Sequence, residues 1–316
     1  MTLQAAIEQY IDWKRAQGAQ FESPAYVLRR FDRFVGEDIG SDEVHRDQAD
    51  AFLGGHSPLT SNRAYKYSTL AGLYRYAIAR GIATRSPLPA EAPKAPPPAP
   101  PYIYSRAELR RLLDATATYR QRTNQLQPHT FRAFLLLLYG AGLRRGEALR
   151  LTLGDIDLQA ALLTVRETKF GKTRLVPLGP QLTEAMQRYA AQQKASGAPS
   201  TDQAPFFTNR DGTSLAARTV SKAFADLRRA AGVSRESGAR YQPRLHDLRH
   251  GFAVHRLTSW YQQGADVQRL LPLLSTYLGH TSIAATQTYL SMTPDLLREA
   301  AVRFERYTQS EEGGRG

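Results

Sequence analysis

The stretch Ala92-Pro-Lys-Ala-Pro-Pro-Pro-Ala-Pro-Pro101 constrains this chain more than any other feature. Six prolines in ten residues remove six backbone donors and fix six φ angles. Neither a helix interior nor a central strand can run through such a segment. An extended, semi-rigid spacer is favoured instead. The spacer divides the chain into pieces of ~90 and ~215 residues, both ordinary domain sizes. A long proline-rich loop inside one domain is the competing reading, but helical periodicity resumes cleanly on each side. The expected organisation is a helical domain at 1–91, a linker at 92–101, a second domain at 102–310 and a frayed tail at 311–316.

The first segment reads as four or five short helices. Leu3, Ile7, Tyr10 and Ile11 share one face of the first. Ser23-Pro24 reads as an N-cap and first helical residue, opening a helix through Phe34. A third helix runs near Asp47 to Leu53. A fourth, from Asn62 to Arg80, carries the apolar stripe Ala64, Tyr67, Leu70, Ala71, Tyr74 and Ile78. Arg63, Lys66, Arg75 and Arg80 lie on or beside its polar face, an arrangement suited to phosphate contacts or to an ordinary solvated surface.

In the second segment, Ser105 caps a helix through Ala115, and Phe134-Leu-Leu-Leu-Leu-Tyr139 reads as a buried helix. A hairpin follows, with Leu162 to Glu167 going out, Phe170-Gly171 turning, and Thr173 to Pro177 returning. Phe206-Phe207 is the candidate for a third strand. The remainder reads as helical. Pro294 to Phe304 forms an amphipathic pattern with Leu297, Ala300, Ala301 and Phe304 together. The fold expected is mainly α with a small antiparallel β-sheet, in two domains.

Composition narrows the chemistry. The chain has no cysteine, which excludes disulfides, thiolate nucleophiles and cysteine-bound zinc. Lysine and arginine number 42 against 29 acidic residues, a formal charge of +13. Such an excess favours a polyanionic partner, because binding releases that partner's condensed counterions. The amino terminus has neither a basic region nor an apolar run of the kind a signal peptide needs, and no stretch is apolar enough to span a bilayer. The expected location is the cytoplasm, away from membranes.

Four stretches carry chemistry: Gly142-Leu-Arg-Arg-Gly-Glu147, Thr168-Lys-Phe-Gly-Lys-Thr-Arg174, His246-Asp-Leu-Arg-His250, and Leu278-Gly-His280 leading to Tyr289. His246 and Arg249, three apart on a helix, point the same way: one titrates near neutrality, the other is a fixed fork donor for phosphate. His246 and His250 have a zinc-like spacing, but Arg249 would set a cation beside the metal, so no metal is expected and His250 is read as an uninvolved surface residue. The glycines around Gly142 do not match a dinucleotide loop. Gly171-Lys172-Thr173 lacks the first glycine of a phosphate loop, with Arg166 in its place.

Arg144, Lys169, His246-x-x-Arg249, His280 and Tyr289, in that order, resemble the tyrosine recombinase (phage integrase) family. Residues 102–310 are similar to its catalytic domain and 1–90 to its helical core-binding domain. Tyr289 is singled out among 16 tyrosines by its place nine residues after Leu-Gly-His. Lys172 competes with Lys169, and alignment through Arg174-Leu-Val-Pro177 favours Lys169. The resemblance implies that Tyr289 attacks a DNA phosphate to give a 3′-phosphotyrosyl bond and a free 5′-hydroxyl. Arg144, Arg249 and His280 would balance the phosphate charge, with Glu147 supporting them. Lys169 would protonate the leaving oxygen and His246 would assist proton movement at the tyrosine. No cofactor, metal or ATP is then called for. The implied partner is double-stranded DNA lying between the two domains, with a homotetramer formed on two sites and the tail helix docking into a neighbour or onto its own domain. Accessory proteins are not implied by any residue. Site-specific recombination, for integration, excision or dimer resolution, is the expected function. A type IB topoisomerase-like relaxing enzyme and a non-catalytic DNA-binding regulator are the alternatives.

Overall fold

The computed structural model describes residues 1–36, 38–55, 60–94, 97, 100–119, 125–166, 173–235, 239, 241–292, 297, 298, 301 and 302. The chain divides into two compact units, Met1–Pro98 and Ala99–Gly316, and the division falls inside the proline-rich stretch.

The first unit is built from helices α1 (Leu3–Ala16), α2 (Glu22–Val35), α3 (Arg46–Leu53) and α4 (Ser61–Ala79). Leu3, Ile7 and Ile11, spaced one turn apart, are fully buried with Leu28, Phe31, Leu70 and Leu73. Helix α2 starts one residue before the expected cap. Phe21, left-handed at φ 47°, precedes it in place of Ser23. Pro24 is therefore the third helical residue, where the missing N–H has no intrahelical partner to lose. The buried face of α4 is also rotated from the expected stripe. Leu73, Tyr76 and Ala77 join Leu70 and Tyr74 inside, whereas Ile78 is 43% exposed. Contacts with both α1 and α2 widen the buried arc, and Tyr76 packs on Tyr10 and Trp13 of α1.

The second unit opens with α5 (Arg106–Ala115), whose start is a capping box between Ser105 and Glu108. Helix α6 (Pro128–Gly140) is apolar nearly all round and runs through the core, where Phe131, Phe134, Leu137 and Leu138 are buried. After α7 (Arg145–Arg150) comes an antiparallel sheet of order β1 (Ile156–Asp157), β2 (Leu162–Val165) and β3 (Arg174–Pro177). Leu163 faces Ile156 on one side and Val176 on the other, and alternation buries Leu163, Val165 and Val176. The strand expected at Phe206-Phe207 is absent. Isolated bridges flank the pair at Pro205 and Thr208, and the two buried rings pack edge-on to each other and against Phe134 and Tyr189.

Helices α8 (Pro180–Ala195), α9 (Ala217–Ala230), α10 (Asp247–Gln262), α11 (Val267–Leu278) and α12 (Ala284–Gln287) follow, then a 3₁₀ turn at Thr288–Ser291. A separate apolar cluster of Phe252, Val254, Leu257, Leu271, Leu274 and Leu278 encloses Tyr289. Among the described residues no helix is long and apolar enough to cross a membrane. Of the expected tail helix at Pro294 to Phe304, residues 297, 298, 301 and 302 are described, helical and exposed, and the others lie outside the described residues.

Candidate active site

The last carbonyls of a helix have no intrahelical donor, and the helix dipole makes that end electronegative. At the end of α11 three successive carbonyls each receive an arginine. Arg174 Nε donates to Tyr277 O at 3.0 Å, Arg249 Nη2 to Leu278 O at 2.6 Å, and Arg144 Nη2 to Gly279 O at 2.9 Å. The arginines come from β3, α10 and the residue before α7, so four remote parts of the sequence meet on one turn. Gly279 closes that turn in the left-handed conformation at φ 68°, and a Cβ there would meet Arg174 Nη1 at 2.8 Å. Arg249 also donates through Nη1 to Gly142 O at 2.7 Å. Gly142 is itself left-handed, with room for no Cβ against Phe252. The glycines of Gly-Leu-Arg and Leu-Gly-His thus serve the arginines' reach.

Glu147 ties two of these cations together. Its carboxylate receives Arg144 Nη1 at 2.7 Å and both terminal nitrogens of Arg174 at 3.1 and 2.8 Å. Burial favours the protonated carboxyl, but hydrogen bonds from Arg174 and Arg144 and the charge of Arg174 prevail and hold it down at about 2. Arg249 is 2% exposed, and burial together with the charge of Arg144 pushes it down to about 10, so it stays cationic at neutral pH. Arg144 keeps 35% of its side chain exposed and so offers an open donor edge. Arg145, its neighbour, turns away to Ser221 Oγ on α9 at 2.6 Å.

Tyr289, on the 3₁₀ turn, is 2% exposed. Burial pushes its phenol up, opposed by the charges of Arg249 and Arg144 and a hydrogen bond with Arg249. Its hydroxyl lies 3.1 Å from His250 Nδ1, and its ring stacks on His280 with centroids 6.1 Å apart. His280 Nδ1 lies 2.7 Å from Oγ1 of the buried Thr286. Burial and the neighbouring arginines push His280 down to about 4, so it is a neutral hydrogen-bonding group here. His246, at the N-cap position of α10, keeps an exposed edge, and partial desolvation together with the charge of Arg249 lowers it. Its ring meets that of His250 edge-on at 4.8 Å.

Arg144, His246, Arg249, His280 and Tyr289 are therefore gathered in one cluster. Lys169, with its competitor Lys172, lies outside the described residues. His250 departs from expectation: it is half-buried inside the cluster and bonded to the phenol. Spacing missed this because the residue after Arg249 was judged for metal binding alone. Arg174 and Thr286 were also missed. Arg174 sits on a strand whose alternation says nothing of a buried cation, though its place in Arg-Leu-Val-Pro flanks the hairpin already singled out.

The basic residues expected on α4 do not share a face. Lys66 Nζ donates to Phe52 O at 2.6 Å and lies 4.4 Å from the centre of the Phe52 ring. It serves the packing of α3 on α4. Arg75, nine residues and about 2.5 turns further on, faces the opposite way, exposed. Arg80 stacks on Tyr76 at 4.9 Å. Arg63, half-buried, donates its backbone N–H to the Thr60 cap.

The sequence pattern of the phage integrase family matches residues 104–295, which takes in every clustered residue. The chain belongs to the phage integrase family. This integrase is 35% identical to the y4rB integrase/recombinase of Sinorhizobium fredii over 96% of its own length and 98% of the relative's. It is 32% identical to the tyrosine recombinase XerD of Mycobacterium tuberculosis, covering 81% and 77% of the two chains. A lambda integrase tetramer solved on a Holliday junction shares the integrase fold, with a TM-score of 0.60 at 21% identity over 89% of this chain and 78% of that one. The integrase is a tyrosine recombinase, an enzyme of site-specific DNA recombination.

Proposed function

We propose that this integrase cleaves and rejoins DNA through a covalent bond from Tyr289 to the 3′ phosphate at the break. One observation carries the reading: the phenol lies in the same cluster as two guanidiniums that are locked to backbone carbonyls. A phosphodiester resists attack until its charge is balanced, and donors fixed beforehand need no reorganisation when the transition state forms. Arg144 and Arg249 supply that balance, and neutral His280 supplies a hydrogen-bond donor to a non-bridging oxygen. The Tyr289 oxygen attacks phosphorus in line, and the P–O5′ bond breaks. Lys169, which the sequence places between β2 and β3, protonates the 5′ oxygen. A 5′-hydroxyl from a second duplex then attacks the phosphotyrosine, joining the exchanged strands and freeing the phenol. Exchange needs two duplexes and four strand breaks, so a tetramer on two sites is the working assembly. The helical unit of residues 1–91 adds contacts to the flanking duplex, with Arg75 and Arg80 among its exposed cations.

The test starts from a pool of nicked duplexes with a randomised core. Incubation should yield protein–DNA adducts that survive denaturation and map by peptide sequencing to Tyr289, and the trapped DNA identifies the site. Two duplexes bearing that site should then exchange strands. Adducts on another residue, or relaxation of supercoils without exchange, would sink the reading.

A further inference from the structure

The resemblance assigns the proton of the attacking tyrosine to His246, but the geometry puts a different group against it. We propose that His250 is a catalytic residue of this integrase, the one that receives the Tyr289 proton as the phenol oxygen attacks. The inference rests on Tyr289 being the nucleophile.

The contact is direct. His250 Nδ1 stands 3.1 Å from the Tyr289 oxygen, within hydrogen-bond distance. The polarity of the bond follows from the surroundings. His250 faces His246, Asp247, Arg249 and Arg244 from its own helix and the residues before it, and Tyr289 from the 3₁₀ turn. Burial and the neighbouring His246 push the imidazole down to about 4, so at neutral pH the ring is uncharged and one of its two nitrogens carries a lone pair. Burial keeps the phenol protonated. Arg249 is hydrogen-bonded to the phenol oxygen and can only donate, so the tautomer that completes the bond has its ring proton on Nε2, with the hydroxyl donating and Nδ1 accepting. His246 takes the edge of His250's ring and stands one turn back along α10.

The step balances without a further reactant. The phenol O–H breaks and its proton moves to Nδ1, the oxygen forms the bond to phosphorus, and the P–O5′ pair leaves with the 5′ oxygen, which takes its proton from a separate acid. Resealing runs the same transfers backwards, so His250 returns the proton to the departing phenol. A phosphate bound beside Arg249 offsets one of the charges that disfavour a protonated imidazole, so the base strengthens when substrate arrives.

The experiment uses the full chain and the nicked duplex trapped by the wild type. If the wild type forms no adduct on Tyr289, the nucleophile assignment fails, and His250 is not what has been tested. With that adduct in hand, His250→Ala and His250→Asn are compared with wild type and with His246→Ala. Retained affinity for the uncleaved duplex reports folding. Asn keeps an acceptor near the Nδ1 position but cannot take up a proton. Both His250 variants should form adduct about 10²-fold more slowly. A duplex with sulfur in place of the bridging 5′ oxygen should not relieve the defect, because its better leaving group removes only the need for the separate acid. Wild-type rates for His250→Asn, or relief by the sulfur duplex, would overturn the proposal. So would a His250→Ala rate within threefold of wild type while His246→Ala fails.

Discussion

Helix α10 carries two phenol–imidazole pairs built alike and placed differently. His250 Nδ1 meets the Tyr289 hydroxyl at 3.1 Å, and five residues on, His255 Nδ1 meets that of Tyr139 at 2.8 Å. Burial raises both phenols and lowers both imidazoles. Each pair has two arginines nearby, so hydrogen bonding and charge sign do not separate them. The difference lies in what holds the arginines and the phenol. Arg106 and Arg256, beside Tyr139, are exposed, and Arg256 rests on the Phe252 ring. Arg249 and Arg144, beside Tyr289, are fixed on three carbonyls and a carboxylate. Tyr139 belongs to α6, a long helix in the core, whereas Tyr289 rides on a four-residue 3₁₀ turn. The same phenol–imidazole contact thus occurs twice on α10, and in the proposed mechanism the fixed guanidiniums are what distinguish the nucleophile from the packing pair.

The widest gap between the pairs should appear on deleting each hydroxyl. Tyr289→Phe should abolish the covalent adduct on a nicked duplex while leaving duplex affinity intact. Tyr139→Phe should cleave at near the wild-type rate. Equal losses in gel-based adduct assays would mean that the pairs are not distinct in function.

The arginines give the next contrast. Arg249→Lys keeps a cation but cannot serve Gly142 O and Leu278 O in the same fork geometry. Adduct formation should fall by about 10²–10³-fold, the scale for losing a fixed transition-state donor. Arg256→Lys, beside the other pair, should stay within about threefold under the same assay. A milder Arg249→Lys would mean that charge alone suffices and that the fixed fork contributes little.

How far the sequence foretold this site follows from the same contrast. Arg144, Arg249, His280 and Tyr289 were legible because their spacing is bound to backbone features, the glycines at 142 and 279, that leave marks in the sequence. The capping box at Ser105 and the hairpin strands were legible for the same reason: local backbone needs name their residues. The packing role of Lys66 and the buried contact of His250 were not legible because each depends on what packs opposite. Polar-face spacing cannot know that the Phe52 carbonyl waits for Lys66, nor that a turn 39 residues on delivers a phenol to His250. Arg174 was missed because its partner Glu147 comes from a separate helix start.

Acid should loosen the catalytic cluster in two stages. His250 and His280 have folded pKa values near 4 against an ordinary 6.5. The unfolded chain therefore binds their protons first, and the stability held above about pH 6.5 is lost as pH falls toward 4. Glu147 lies near 2 against an ordinary 4.5. Its contribution is complete above about pH 4.5 and is lost toward pH 2, a loss on the order of 3 kcal/mol. Glu147→Gln should remove the lower stage in calorimetric melts across this range and leave the upper one. An unchanged lower stage would place the acid sensitivity elsewhere.

The smallest effect belongs to the pair without a prepared phosphate site. Removing the Tyr139 hydroxyl leaves His255 Nδ1 half-buried without its donor, and the net worth of such a bond is about 1 kcal/mol. A unit of this size should then melt roughly 2–4 °C lower. His255→Leu in the same background should recover part of the loss, because an apolar side chain needs no donor beside a phenylalanine. A double-mutant cycle between positions 139 and 255 reads this coupling directly. The corresponding cycle between Tyr289 and His250 should show coupling in the rate of adduct formation, using a His250 variant against a Tyr289 ring whose acidity is altered by fluorination. Coupling confined to stability at both positions would erase the distinction between the two pairs.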